Sequence, residues 1–139
     1  MKAFTDLEQS KKLAEFLPLE SADMYYDVDS YGVRTTPEVL IASVVRKKDI
    51  PCWSLAALMN LLPSKFTEKG KYSETTYNID IRKYALTEDV DVHQIAYGNY
   101  IFYEDVNSSW EDMINTGEKE NLIDAAFQMI IWLKENNKL

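Results

Sequence analysis

Along the first turns of the chain the apolar positions recur at helical spacing: Leu7, Leu13, Ala14 and Leu17 share one face, and Glu8, Lys11, Lys12 and Glu15 occupy the rest. Thr5-Asp6-Leu7-Glu8 has capping-box spacing, which predicts a helix from about Asp6 to Phe16, stopped by Pro18 because proline has no N–H to continue it. Ala22 to Val28 carries Met24-Tyr25-Tyr26 between acidic residues and reads as a short strand, with a turn at Ser30-Tyr31-Gly32. Residues 36–45 admit two readings. Thr36-Pro37-Glu38 is helix-start chemistry, whereas Val39-Leu40-Ile41 and Val44-Val45 are rich in β-branched side chains, and we read the segment as a strand.

Cys52 to Leu62 is almost wholly apolar and lies between Pro51 and Pro63, the pattern of a helix buried around most of its circumference. Thr75 to Leu86 then alternates, Tyr77, Ile79 and Ile81 against Asn78, Asp80 and Arg82, as a half-solvated strand does. Ile95 to Tyr103 is apolar on both faces and pairs antiparallel with it through the short link Thr87 to Asp91. Asn121, with Asp124 three residues on, caps a last helix to about Asn136, whose core stripe is Leu122, Ala126, Met129, Ile130 and Leu133. The expected fold is therefore α+β over residues 1–139 as a single globular domain. It has a mostly antiparallel sheet of three to five strands, a buried central helix, and N- and C-terminal helices on one sheet face.

Composition narrows what such a domain does. With 139 residues, 46% hydrophobic and 27% charged, the chain is long enough to bury a core without disulfides or metal. Its 15 basic and 23 acidic residues leave −8, and Lys11-Lys12, Arg46-Lys47-Lys48 and Arg82-Lys83 are too scattered to form a stripe for a phosphate backbone, so nucleic acid is not an expected partner. The four glycines lie too far apart to make a nucleotide-binding loop. No apolar run approaches the roughly 20 residues of a membrane span. The first residues lack a secretory pattern, which together with the single cysteine predicts a cytoplasmic protein. No cofactor is expected.

Three constellations carry candidate chemistry. Cys52-Trp53-Ser54, at the start of the predicted central helix, is placed where a helix dipole favours a thiolate, and His93 is the one imidazole able to activate it. The order of cysteine, tryptophan and strand histidine resembles papain-like proteases, although the glycines around that family's cysteine and its oxyanion-forming glutamine are missing. The competing reading makes Cys52 and Trp53 core. Asp89, Asp91 and His93 alternate, so an extended chain points all three to one side, as a divalent metal site requires; a solvated acidic turn explains the same spacing. Tyr25, Tyr26 and Tyr31 form a local cluster of rigid contact area for a protein partner, or else pack across a sheet. The carboxylates Glu104, Asp105, Glu111 and Asp112 read as surface charge.

Glu8 to Glu15, Glu20 to Met24, Ile50-Pro51-Cys52-Trp53-Ser54-Leu55-Ala56-Ala57-Leu58 and Asp124 to Ile130 together resemble a family of small uncharacterised proteins of bacterial genomes, prophages and mobile elements. The Pro-Cys-Trp-Ser-Leu block is the most specific part of the likeness. The resemblance implies an accessory role and no assigned chemistry. The expected function is non-enzymatic: binding to an unidentified protein partner or self-association. The alternatives are a thiol-dependent hydrolase using Cys52 and His93, and a divalent metal-binding protein.

Overall fold

The structure is a computed structural model that describes residues 2–39, 47–102 and 108–139. The chain divides into two units, Met1–Leu61 and Leu62–Leu139. All strand pairs are antiparallel, and the fold is α+β with helices near both ends of the chain.

In the first unit α1 (Leu7–Ala14) is followed by β1 (Met24–Tyr26), β2 (Val28–Asp29), β3 (Gly32–Val33), β4 (Glu38–Val39), β5 (Ile50–Cys52) and α2 (Leu55–Leu61). Strands β4, β1 and β5 form one small sheet in that order, β2 and β3 a hairpin, and α1 packs against β5. The capping box sits one residue later than the sequence predicts. Asp6 accepts from the Gln9 N–H at 2.8 Å, and the Gln9 side chain accepts from the Asp6 N–H at 3.1 Å. Thr5 is instead fully buried. Of the segment 36–45, Thr36 and Pro37 lie in neither helix nor strand, Glu38 and Val39 pair with β1 as strand, and residues 40–45 lie outside the described residues.

The predicted helix Cys52 to Leu62 is corrected to a strand end and a short helix. Pro51 has no N–H for a helix and sits in β5 opposite Tyr25. Trp53 is held extended, because its carbonyl accepts from the Thr5 N–H at 2.9 Å and its own N–H donates to the Thr5 hydroxyl at 3.1 Å. The helix that follows buries only Ala57 and Leu58 fully and exposes Ala56.

The second unit is a meander, β6 (Lys65–Lys69), β7 (Glu74–Thr87), β8 (Val90–Phe102) and β9 (Ser108–Asn115), closed by α3 (Leu122–Glu135). The predicted central hairpin is there and longer, turning at Glu88-Asp89. On the face that α3 covers, Phe66 lies 5.5 Å from Tyr77, 5.0 Å from Tyr97 and 6.0 Å from Trp132, ring centre to ring centre. Ile95, Tyr97, Ile123, Met129, Ile130 and Leu133 are buried with them. Asn121 caps α3 by accepting from the Asp124 N–H at 2.8 Å. Asn137, at φ 55°, ends it in the left-handed turn that brings the Lys138 N–H to the Leu133 carbonyl. Among the described residues no helix is long and apolar enough to cross a membrane.

Strand β9 carries an extra residue, Met113, between the pairs Tyr97 to Ile114 and Gly98 to Asp112. The bulge brings β9 so close to Gly98 that a Cβ there would lie 2.2 Å from the Glu111 carbonyl oxygen and 3.0 Å from the Trp110 ring. We predict that Gly98→Ala lowers unfolding stability by at least about 2 kcal/mol in urea titration, since backbone rather than a flexible side chain must yield.

Candidate functional site

The Pro-Cys-Trp-Ser-Leu block is accounted for by folding. Cys52 and Trp53 are fully buried; the thiol lies 3.5 Å from the Thr5 hydroxyl and 3.4 Å from its carbonyl. That hydroxyl is 2.7 Å from Ser10, and the Tyr26 hydroxyl donates to the Thr5 carbonyl at 2.8 Å, so one buried polar knot ties α1, β1 and β5 together. The Trp53 indole donates to Ser21 at 3.0 Å. Ser54 donates to Asp23 through its N–H at 2.8 Å and through its hydroxyl, while its oxygen accepts from the Ala57 N–H at the start of α2.

Burial pushes the Cys52 thiol up, outweighing the lowering by hydrogen bonds from Thr5, Ser10 and Tyr26, and it pushes Tyr26 up to about 12. A nucleophile needs the opposite: an exposed sulfur with a lowered pKa. His93 belongs to the second unit, half-buried in β8, its backbone exchanging two hydrogen bonds with Lys119.

The three proposed metal ligands do not share a centre. Asp89 lies in the exposed turn, Asp91 pairs with Lys83 at 3.3 Å, and among the described residues no group of three or more His, Cys, Asp or Glu side chains converges as a metal requires. Tyr25 and Tyr26 are buried, their hydroxyls donating to Glu38 and Thr5; only Tyr31, at the β2–β3 turn, is exposed. Glu104 and Asp105 lie outside the described residues.

The first unit has a cleft of about 440 Å³ over Ala3, Phe4, Leu7, Tyr26 and Val33, rimmed by Arg34. Its basic rim is already matched: Lys2 pairs with Asp6 at 3.0 Å, and Arg34 lies 3.5 Å from Asp27. In the second unit, the sheet face opposite Tyr77 and Tyr97 is polar. Arg82 bridges Asp80 at 2.6 Å and Asp112 at 2.5 Å and 2.9 Å, Trp110 donates to Asp112 at 2.7 Å, and Tyr100 stands edge-on to Trp110 at 5.3 Å. The Arg82 guanidinium holds the Asp112 carboxyl at about 2.

The part that sequence reasoning missed is the far end of the β7–β8 hairpin. Every residue from Lys83 to Asp91 is exposed, and four of the ten exposed large apolar residues among the described residues lie on this half of the hairpin: Ile81 (44%), Tyr84 (38%), Leu86 (53%) and Val90 (44%). Leu86 is a bulged residue, inserted between the pairs Ala85 to Asp91 and Thr87 to Val90. Beside these apolar groups stand Glu88, Asp89 and Asp91. The signal was present as Ala85-Leu86 and Val90 around an acidic turn. Alternation alone assigns such residues to a buried face, and only the reach of the neighbouring elements shows that nothing described covers them.

Two outcomes follow. Cys52 in the native chain should resist alkylation at neutral pH and label only on unfolding, as followed by mass spectrometry against a urea series. The Asp112 carboxyl is depressed from 3.8 to about 2, so the stability it contributes is full above the unfolded value and is lost as pH falls toward 2. Asp112→Asn should flatten that acid limb of the unfolding curve. No protein-family model, curated protein or solved structure matches the chain.

Proposed function

We propose that this chain is a non-enzymatic accessory protein of a prophage or mobile element that works in the cytoplasm by binding another protein, and that the far end of the β7–β8 hairpin is its contact surface. The observation that carries the reading is the exposure of Ile81, Tyr84, Leu86 and Val90 on one hairpin end. Fully burying a side chain such as Leu86 or Val90 releases roughly 1.5–3 kcal/mol, which gives a partner the anchors an interface needs. The partner is a protein with an apolar strip flanked by Lys or Arg, because Glu88, Asp89 and Asp91 border the anchors. A second copy would bring the same acidic turn and the same net charge of −8. Nucleic acid is disfavoured for the same electrostatic reason. The mobile-element address rests on the block Ile50 to Leu58, and the compartment on a lone cysteine kept as a buried thiol.

The test is retention on the immobilised chain, compared with a Leu86→Ser, Val90→Ser double variant and a Tyr31→Ser, Tyr72→Ser control, followed by rebinding of the purified retained protein. The reading expects a partner held by wild type and the control, weakened at least about tenfold in the double variant and weakened by salt. Equal retention by all three chains overturns it.

A further inference from the structure

Past the first residue of β6, the hairpin has a free hydrogen-bonding edge. The last contact on that side is the Ile79 N–H donating to the carbonyl of Ser64, the residue before β6, at 2.9 Å; among the described residues of the second unit no backbone group pairs with β7 on that side beyond it. Backbone direction alternates along a strand, so the N–H and C=O groups of Ile81, Lys83 and Ala85 point the way Ile79 does, outward, while those of Arg82 and Tyr84 point to β8. The other strand agrees. His93 and Ile95, opposite Lys83 and Ile81, turn their backbone groups away from β7, His93 to Lys119 and Ile95 to Thr116.

We propose that this edge accepts an added strand, an extended segment of the partner protein, with the pattern apolar, any, acidic, any, apolar. The proposal rests on the reading that the hairpin is a protein-binding surface. Cross-strand pairing sets the chemistry: residues opposite Ile81 and Ala85 share an apolar surface, and the one opposite Lys83 faces its ammonium group. Lys83 pairs with Asp91 across two exposed side chains, a weak link that a strand carboxylate can share. A second copy is the poorer occupant. The two-fold register that sets Ile81 against Ala85 also sets Lys83 against its own copy, and the register centred on Ala85 sets Ile81 against Asp89. Lys83 and the bulge at Leu86 are the devices by which exposed edges avoid indiscriminate pairing, so the edge selects its strand by charge.

The experiment uses capped peptides Thr-Val-Thr-Glu-Thr-Val-Thr and Thr-Val-Thr-Lys-Thr-Val-Thr against the full chain and its Lys83→Glu and Ala85→Pro variants, read by amide exchange in NMR. The expected result is that the Glu peptide slows exchange at Ile81, Lys83 and Ala85 by about tenfold, with Arg82 and Tyr84 unchanged. Lys83→Glu should reverse the preference to the Lys peptide, and Ala85→Pro, which removes only an outward N–H, should weaken both. Absence of protection at these amides, or an unchanged preference in Lys83→Glu, overturns the proposal. If the Leu86→Ser, Val90→Ser variant loses the partner while neither peptide protects the edge, docking is by side chains and strand addition fails alone. If the peptides protect the edge but the double variant keeps its partner, the edge stands and the placement of the anchors fails.

Discussion

The antiparallel ladder between β7 and β8 is the constraint on which the second unit depends. Its register runs from Asn78 opposite Gly98 to Thr87 opposite Val90, and each residue's face follows from it. Ile79, Ile81, Ile95 and Tyr97 share one side, where α3 closes over Tyr97 and Phe66. Arg82, Tyr84 and Gln94 share the other, where Arg82 reaches Asp112 and the Tyr84 hydroxyl, an acceptor for Gln94, donates to Glu118. A shift of one residue would carry the isoleucines to the polar side and the arginine into the aromatic cluster. The same ladder extends past both of its neighbours, and that excess length leaves apolar side chains of the hairpin end exposed.

The first unit obeys a different rule. Its strands are two or three residues long, too short for ladder bonds to hold alone, and the buried Thr5, Ser10, Cys52 and Tyr26 groups supply the missing cross-links. Each polar atom there has a partner, so burial costs little and the arrangement of α1, β1 and β5 is fixed by direction as well as by contact. This explains why the Pro-Cys-Trp-Ser block reads as a motif: the proline pairs within β5, the cysteine ends that strand opposite Met24, the cysteine and tryptophan side chains fill the core, and the serine starts the helix.

Strong periodicity was legible in the sequence. The α1 stripe, the alternation in β7 and the Asn121 cap of α3 each express one local rule undisturbed by its surroundings. The capping box was misplaced by one residue because Thr5 and Asp6 are both competent caps, and only tertiary contacts with Trp53 and Cys52 draw Thr5 inward. Strand β9 escaped notice because the bulge at Met113 breaks its alternation, setting Trp110 and Ile114 on opposite faces. Strand β6 offers a single buried side chain, Phe66, among polar and charged residues. Of the candidate sites, the residue types of Cys52, His93, Asp89 and Asp91 drew attention, whereas the exposed hairpin end consists of ordinary strand residues whose meaning depends on what fails to cover them.

A docking edge on β7 requires backbone direction to alternate along the strand, and residue-resolved hydrogen exchange on the native chain tests this most directly. Slow exchange at Arg82 and Tyr84 with fast exchange at Ile81, Lys83 and Ala85 is the predicted result. Uniform protection across Ile81 to Ala85 would mean that the edge is already paired, and uniform fast exchange that the hairpin end is not a formed ladder; either contradicts the reading of this hairpin as a prepared docking edge.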